Sequence, residues 1–217
     1  MLHALAYAFV DAVNVLLIGV LVALAMMAAK GRYVPIASLL ILGDWLGVLL
    51  LALVVLLAFD GLGEFVKHIV DSAVFGILLI LTGVLTALLT LRGGDSSALI
   101  NRILEPLRSP SPLTVLVGLI LGAIQSATSV PFFAGLAVLS ASDIPPAQRY
   151  CGLFLYATVA LSLPILAALL LGLVRRTPNS LVGRGFETAR AHKDLVVRAA
   201  GYLVAVLLVV IGILRLI

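Results

Sequence analysis

Apolar and polar positions along this chain fall into long blocks rather than short periods. Six apolar runs are each close to, or somewhat longer than, the roughly 20 residues that a helix needs to cross a bilayer. They cover residues 4–29, 34–59, 69–91, 113–141, 147–174 and 195–217, and short segments with charged residues, glycine or proline separate them. The pattern predicts an all-α integral membrane protein with six transmembrane helices.

Composition supports the same class. The chain has 217 residues, of which 63% are hydrophobic and 11% are charged, whereas ordinary soluble domains are about half apolar and a quarter charged. Cys151 is the single cysteine, which excludes an intrachain disulfide and a CxxC redox motif. The formal charge of +4 comes from basic residues in the connecting segments, which read as topology signals and not as a nucleic-acid-binding surface.

The basic residues also predict the orientation. The segments after the first, third and fifth runs, together with Arg198 at the start of the sixth run, hold 11 of the 14 Lys and Arg residues, and loops rich in Lys and Arg stay in the cytoplasm. We therefore expect a multi-pass protein of the cytoplasmic (plasma) membrane, with the basic loops cytoplasmic and both termini outside. Membrane lipids are then expected partners.

Matching polar residues recur in the two halves of the chain. Because each half contains three spans, an odd number, the second half must run with opposite polarity, which is the inverted-repeat architecture of many transporters. The aligned pairs are Asp11 with Ser126, Asn14 with Ser129, Arg32 with Arg149, and Tyr33 with Tyr150.

These observations divide the chain into three parts. Residues 1–94 form the first three-helix repeat, and residues 113–217 form the second, with a basic loop at 175–194. The cytoplasmic connection at 95–112 carries a roughly helical apolar stripe, so it is either a short interfacial helix or a linker.

Two polar residues of the first run are candidates for a site. Asp11 and Asn14 are three residues apart, which places them on one face of a continuous helix. A carboxylate beside an amide can coordinate a cation, bind an ammonium group or pass a proton. Asp11 lies about 10 Å inside the span at 1.5 Å per residue. The alternative is a hydrated Asp11 near the headgroups.

Asp44 is the second intramembrane acid. It lies about 15 Å into the second run, between Gly43 and Gly47, a spacing that lets another helix approach closely. A charge at that depth is expensive and usually faces a protein interior or a water-filled pathway. Asp44 is therefore either a pathway residue, as a proton carrier or cation partner, or a partner in a structural hydrogen bond.

The fourth run carries a cluster of polar residues followed by a proline. Proline removes a backbone donor and crowds the preceding turn, so we expect a kinked or broken helix at residues 127–131, and a weaker break near Pro164. Hydroxyls beside a break suit an ion or a polar group, although they also serve as interhelical hydrogen-bonding groups. The candidate residues are Gln125, Ser126, Thr128, Ser129 and Pro131.

The sequence offers no pattern typical of an enzyme. It contains no Ser/His/Asp set, phosphate-binding glycine loop or paired carboxylates at a usable spacing. His3, His68 and His192 are too scattered to predict a metal cluster. We expect neither catalysis nor a cofactor.

Three plus three spans, with polar strings in the first and fourth, resemble the LysE superfamily of small membrane exporters. The string Leu42-Gly43-Asp44-Trp45-Leu46-Gly47 is similar to the Gly-polar pair of the second span in that family. The end of the chain is also similar to the family pattern, in Ala200-Gly201-Tyr202-Leu203 and then Ile211-Gly212-Ile213-Leu214-Arg215.

Branches of the superfamily fit to different degrees. Asp11-Ala12 and Ala127-Thr128-Ser129 are similar to the strings of the manganese and cadmium exporters, but no acid follows the second string. The glycine- and proline-rich first span of the amino-acid exporters is absent. The peptidoglycolipid-addressing branch has a similar length and a glycine-centred second span. The thiol-disulfide branch requires cysteines in spans one and four, which this chain lacks.

The resemblance and the polar strings together indicate a secondary transporter. It would export a small polar or cationic solute by alternating access, with proton coupling and a homodimer as open options. One alternative is an accessory membrane protein for translocation or addressing of an envelope lipid or glycolipid, and another is a structural subunit of a membrane complex.

Overall fold

The computed structural model describes residues 2–29, 31–92, 107, 109–177, 193–214 and 216, and its regular elements there are helices, with no strand. Most of the predicted connection at 95–112 and of the basic loop at 175–194 lies outside the described residues. The helices are α1 Leu2–Asp11, α2 Val15–Met27, α3 Tyr33–Gly61, α4 Gly63–Val70, α5 Ala73–Arg92, α6 Pro112–Ala127, α7 Val130–Ser140, α8 Pro146–Ala160, α9 Ser162–Arg176 and α10 Lys193–Leu214.

One described helix, α3, is long and apolar enough to cross a membrane by itself. Four bent pairs reach that length when each pair counts as one span: α1 with α2 (44°), α4 with α5 (67°), α6 with α7 (76°) and α8 with α9 (43°). The described residues therefore contain up to five spans by length and composition, and Tyr202–Leu214 of α10 is a shorter apolar helix. The break between α8 and α9 is at Leu161, three residues before Pro164, and confirms the weaker break predicted there.

The third predicted span, 69–91, has the wrong boundary. Residues 69 and 70 end the separate short helix α4, and α5 begins only at Ala73. Helix α4 is amphipathic, because Val66 and Val70 are buried while Glu64 and Lys67 are exposed. Its charges also suit the helix dipole, with the acid in the first turn and the base in the last.

Helices α3 and α6 pack closely and run in the same direction. A Cβ atom at Gly43 or Gly47 would overlap the carbonyl oxygen of Val115 or Leu119, respectively. The glycines of α6 meet α3 in the same way, which lets the two backbones touch. The close approach predicted from the glycine spacing is confirmed, and it places Asp44 in the contact.

Helices α5 and α10 form the second close pair, and they run antiparallel. Gly76 of α5 approaches Gly212, whereas Gly83 approaches Ala205, so the residue numbers increase along one helix and decrease along the other. Helix α1 packs on α7 and α8, and α2 packs on α9. The two predicted halves thus contribute to a shared core, which includes buried residues of α1, α2, α6 and α7.

Candidate functional site

The first break separates α1 from α2 immediately after Asp11. The side-chain Oδ1 of Asn14 accepts a hydrogen bond from the backbone N–H of Leu17 at 2.9 Å, which caps the start of α2. The expectation that Asp11 and Asn14 share one face of a continuous helix is therefore wrong. The Asn14 side chain bonds to the backbone of α2, and the chain changes direction between Asp11 and Asn14.

The second break separates α6 from α7 at Thr128 and Ser129, which confirms the predicted interruption. Pro131 lies in the first turn of α7, where a missing N–H leaves no bond unmade. Ser129 caps this helix, because its Oγ accepts the N–H of Phe132 at 3.2 Å. Thr128 bonds back to carbonyl oxygens of its own helix. The two breaks are thus capped by residues that the repeat alignment pairs, Asn14 and Ser129.

Asp11 and Ser129 meet across the two breaks. The Ser129 hydroxyl donates a hydrogen bond to Oδ1 of Asp11 while it caps α7. The carboxyl group therefore lies beside the N-terminus of an 11-residue helix, where the helix dipole favours negative charge. No hydrogen bond to the second carboxyl oxygen is formed by the described residues, which leaves that oxygen available to a cation or a polar solute.

A cavity of about 220 Å³ adjoins this contact. Four predicted site residues line it, and α5 contributes two threonines, Thr82 and Thr86, that the sequence reasoning missed. Their hydroxyls donate to carbonyl oxygens one turn earlier at 2.8 Å and keep lone pairs that can accept a further bond. Their spacing of four residues inside an apolar helix was the available signal. The predicted residues at the cavity are Asp11, Thr128, Ser129 and Pro131.

Asp44 does not line this cavity. Its backbone lies in the α3–α6 contact, its side chain is completely buried, and neither carboxyl oxygen has a hydrogen-bond partner among the described residues. The structure thus gives no support to the alternative of a structural hydrogen bond. Asp44 and Asp11 are close enough to interact electrostatically, so the state of one carboxyl group affects the other.

The remaining candidates lie near the site without lining the cavity. Ser126 is buried, and its carbonyl oxygen accepts the N–H of Ser129 at 3.1 Å. Gly122 touches the backbone of Asp44. Gln125 lies three residues further along the same helix, a rise of about 4.5 Å. Neither polar atom of the buried Gln125 amide has a partner among the described residues.

An ion-pair cluster at the end of α3 was also missed. Asp60 accepts hydrogen bonds from Ser140 at 2.6 Å and Arg149 at 2.8 Å through Oδ1, and from Tyr150 at 2.9 Å through Oδ2. Arg149 also donates to the carbonyl oxygen of Ser140 at 2.8 Å. This Asp60 cluster joins the ends of α3, α7 and α8. Asp60 is 80 or more residues from each of its partners, so only the fold reveals the cluster.

A second cluster lies at the opposite end of α3. The Arg175 guanidinium donates to carbonyl oxygens at the end of α2, including that of Ala28 at 2.7 Å, and lies 5.5 Å from the centre of the Tyr33 ring. Tyr33 in turn donates to the carbonyl oxygen of Ala168 at 3.2 Å. This Arg175 cluster joins the ends of α2 and α9 to the beginning of α3.

Within the described ranges, no three His, Cys, Asp or Glu side chains lie together as a metal site would require. His3 and His68 are exposed, and His192 lies outside those ranges. The arrangement offers one acid, several hydroxyls and a second buried acid nearby, which suits a cation or an ammonium group better than a phosphate. No protein-family model, curated protein or solved structure matches this chain.

Proposed function

We propose that this chain is a secondary membrane transporter that exports a small polar or cationic solute by alternating access. The observation that carries the proposal is the contact of Asp11 with Ser129. It joins two broken helices beside a cavity, and broken helices with polar groups at the break are the usual framework of transporter sites. The resemblance to the LysE superfamily supports the same class.

Helix directions support the six-span arrangement within this proposal. If the basic connections share one side of the membrane, spans two and four run the same way, while spans three and six run in opposite directions. The parallel contact of α3 with α6 and the antiparallel contact of α5 with α10 agree with these directions. The matched caps Asn14 and Ser129 support the inverted repeat.

The solute in this proposal binds at Asp11. A single carboxylate with hydroxyl neighbours favours a monovalent cation or a solute with an ammonium group, since a divalent metal usually takes several charged or polar ligands. Asp44 would carry the coupling proton. A positive charge bound at Asp11 changes the potential at the Asp44 carboxyl through their electrostatic interaction, so solute binding and proton binding affect each other.

The Asp60 and Arg175 clusters would act as the two gates. Tyr33 and Asp60 are 27 residues apart on α3, or about 40 Å along the helix, which exceeds the roughly 30 Å hydrocarbon thickness. One cluster would therefore lie at each surface of the membrane. In an alternating-access cycle, each cluster opens when the central site faces its side.

Proton flux in proteoliposomes tests the proposal. The purified chain is reconstituted with a pH-sensitive dye inside the vesicles, and Na⁺, K⁺, Mn²⁺, lysine and arginine are added in turn. We expect at least one solute to drive proton movement in the wild type, and the Asp11→Asn and Asp44→Asn variants to abolish it. Asp143→Asn is the matched control, because that side chain is almost fully exposed.

Two results would contradict this proposal in different ways. If Asp44→Asn keeps the wild-type proton flux, Asp44 is not the proton carrier. If solute uptake, measured with radiolabelled forms of the same solutes, matches that of empty vesicles for every one of them, the transporter assignment fails for this group of solutes.

A further inference from the structure

A second and larger cavity lies between α3 and α9, apart from the central site. It has a volume of about 680 Å³ and shares no lining residue with the cavity at Asp11. Exposed apolar side chains form its rim, including Val34 (53% exposed), Leu42 (50%) and Leu169 (67%). It is therefore a groove on the side of the helix bundle, and we refer to it as the lateral groove.

The length of the lateral groove matches one leaflet of a bilayer. Its lining runs along α3 from Tyr33 to Trp45, 12 residues or about 18 Å, and half of the hydrocarbon thickness is about 15 Å. Trp45 is held at the deep end, because its indole N–H donates to Oγ1 of Thr158 at 3.2 Å and its ring packs on Phe154. The floor between the two ends is apolar, with Ala37 and Ile41.

The shallow end of the lateral groove is cationic. Arg176 lines it near Tyr33, at the membrane-surface end of α3 and α9. The neighbouring Arg175 donates hydrogen bonds to carbonyl oxygens at the end of α2, whereas Arg176 forms no ion pair within the described residues. An apolar groove of leaflet depth with a guanidinium at its surface end complements a molecule with an acyl chain and an anionic head.

We propose that the lateral groove binds one acyl chain of an anionic glycerophospholipid, with the lipid phosphate against Arg176. Basic side chains at the cytoplasmic surface attract anionic lipid headgroups by about 1 kcal/mol each. The apolar lining makes the groove selective for a lipid over a soluble anion, because a soluble anion has no acyl chain to bury there. The proposal requires only that α3 and α9 lie in a membrane. It is independent of transport through the central site.

Fluorescence of Trp45 reports occupancy directly, because it is the single tryptophan of the chain. The protein is reconstituted in phosphatidylcholine nanodiscs that contain a small fraction of brominated phosphatidylglycerol, or the same fraction of brominated phosphatidylcholine. Bromine on the acyl chain quenches a tryptophan that it contacts. We expect an apparent affinity about fivefold higher for phosphatidylglycerol, as one basic contact predicts, and loss of this preference in Arg176→Gln.

Matched variants separate the headgroup contact from the groove. Lys67→Gln removes an exposed positive charge at the other end of the molecule and should keep the preference. Gly172→Leu fills the groove, since a Cβ atom there meets only the Tyr33 ring at 3.7 Å, and it should weaken quenching by both lipids. Gly61→Leu, at a position with open space, should leave quenching unchanged.

Three results would overturn the proposal. Equal quenching of the wild type by both lipids would indicate unselective lipid contact. A preference that persists in Arg176→Gln would remove the headgroup site. Efficient disulfide crosslinking between two chains through Ser38→Cys, in a Cys151→Ser background, would assign the groove to a second copy of the chain, because Ser38 lines it.

Discussion

Replacing Gly122 by alanine places a methyl group where the structure has no room. The new Cβ would overlap the carbonyl oxygen of Asp44, which belongs to the backbone of α3 and cannot rotate away. Helices α3 and α6 must then move apart along their contact. This movement would also shift Asp44, so the substitution tests both the packing and the site.

The size of the effect follows from a comparison with Gly172, which is likewise inside a helix. A Cβ at Gly172 makes only ordinary contact with a side chain. Both alanine substitutions gain the same helix propensity, about 1 kcal/mol, so the propensity cancels in the comparison. The remaining difference is the penalty of overpacking, about 1–3 kcal/mol. We expect the upper end of this range, because the obstacle is rigid backbone.

Unfolding of the purified protein in mixed micelles measures this difference. Helix content is followed by circular dichroism at increasing mole fractions of SDS, for the wild type and for both variants. Gly122→Ala should unfold at a lower SDS fraction than the wild type, and Gly172→Ala at the same or a higher one. Equal stability of the two variants would refute the close backbone contact and the position of Asp44 that depends on it.

Two further predictions concern hydrogen bonds. Ser129→Ala removes a helix cap and the donor to Asp11, so it should lower the free energy of unfolding by about 0.5–2 kcal/mol and reduce the proposed proton flux. Thr128→Ala should change stability less, and equal losses in the two variants would contradict this. In a double-mutant cycle with Asp60→Asn and Arg149→Gln, the measured unfolding free energies should be non-additive by about 0.5–3 kcal/mol, and additive effects would show that the ion pair does not couple the helix ends.

The breaks in the helices were only partly predictable. Pro131 indicates the second break, because a proline inside a helix removes a donor and crowds the preceding turn. The first break contains no proline or glycine, and the apolar run continues through it. Asn14 can either face a neighbour from within a helix or cap a new one. The choice depends on how α1 packs on α7 and α8, which local sequence does not contain.

The site residues could be predicted from the sequence where their transfer into hydrocarbon costs free energy. Asp11 and Asp44 stand out because hydrocarbon penalises a carboxyl group. The four-residue spacing of Thr82 and Thr86 is a weaker signal, since a threonine in such a helix can bond its own backbone and only the fold shows that it faces a cavity. Asp60 was not identified from the sequence for a similar reason. It ends an apolar run, where a charge needs no explanation, and its partners come from other helices.

The α1–α2 break and the α6–α7 break are built alike, but their capping residues can form different hydrogen bonds. Asn14 accepts one backbone N–H through its side-chain oxygen, whereas the Ser129 hydroxyl both accepts a backbone N–H and donates to Asp11. A second carboxylate at Ser129 could not make that donation when ionised, because it accepts hydrogen bonds only. The hydroxyl therefore fixes the site as a single acid with a neutral partner. The second buried acid, Asp44, does not line the cavity at Asp11, and in the proposed transporter it responds to the site without binding the solute.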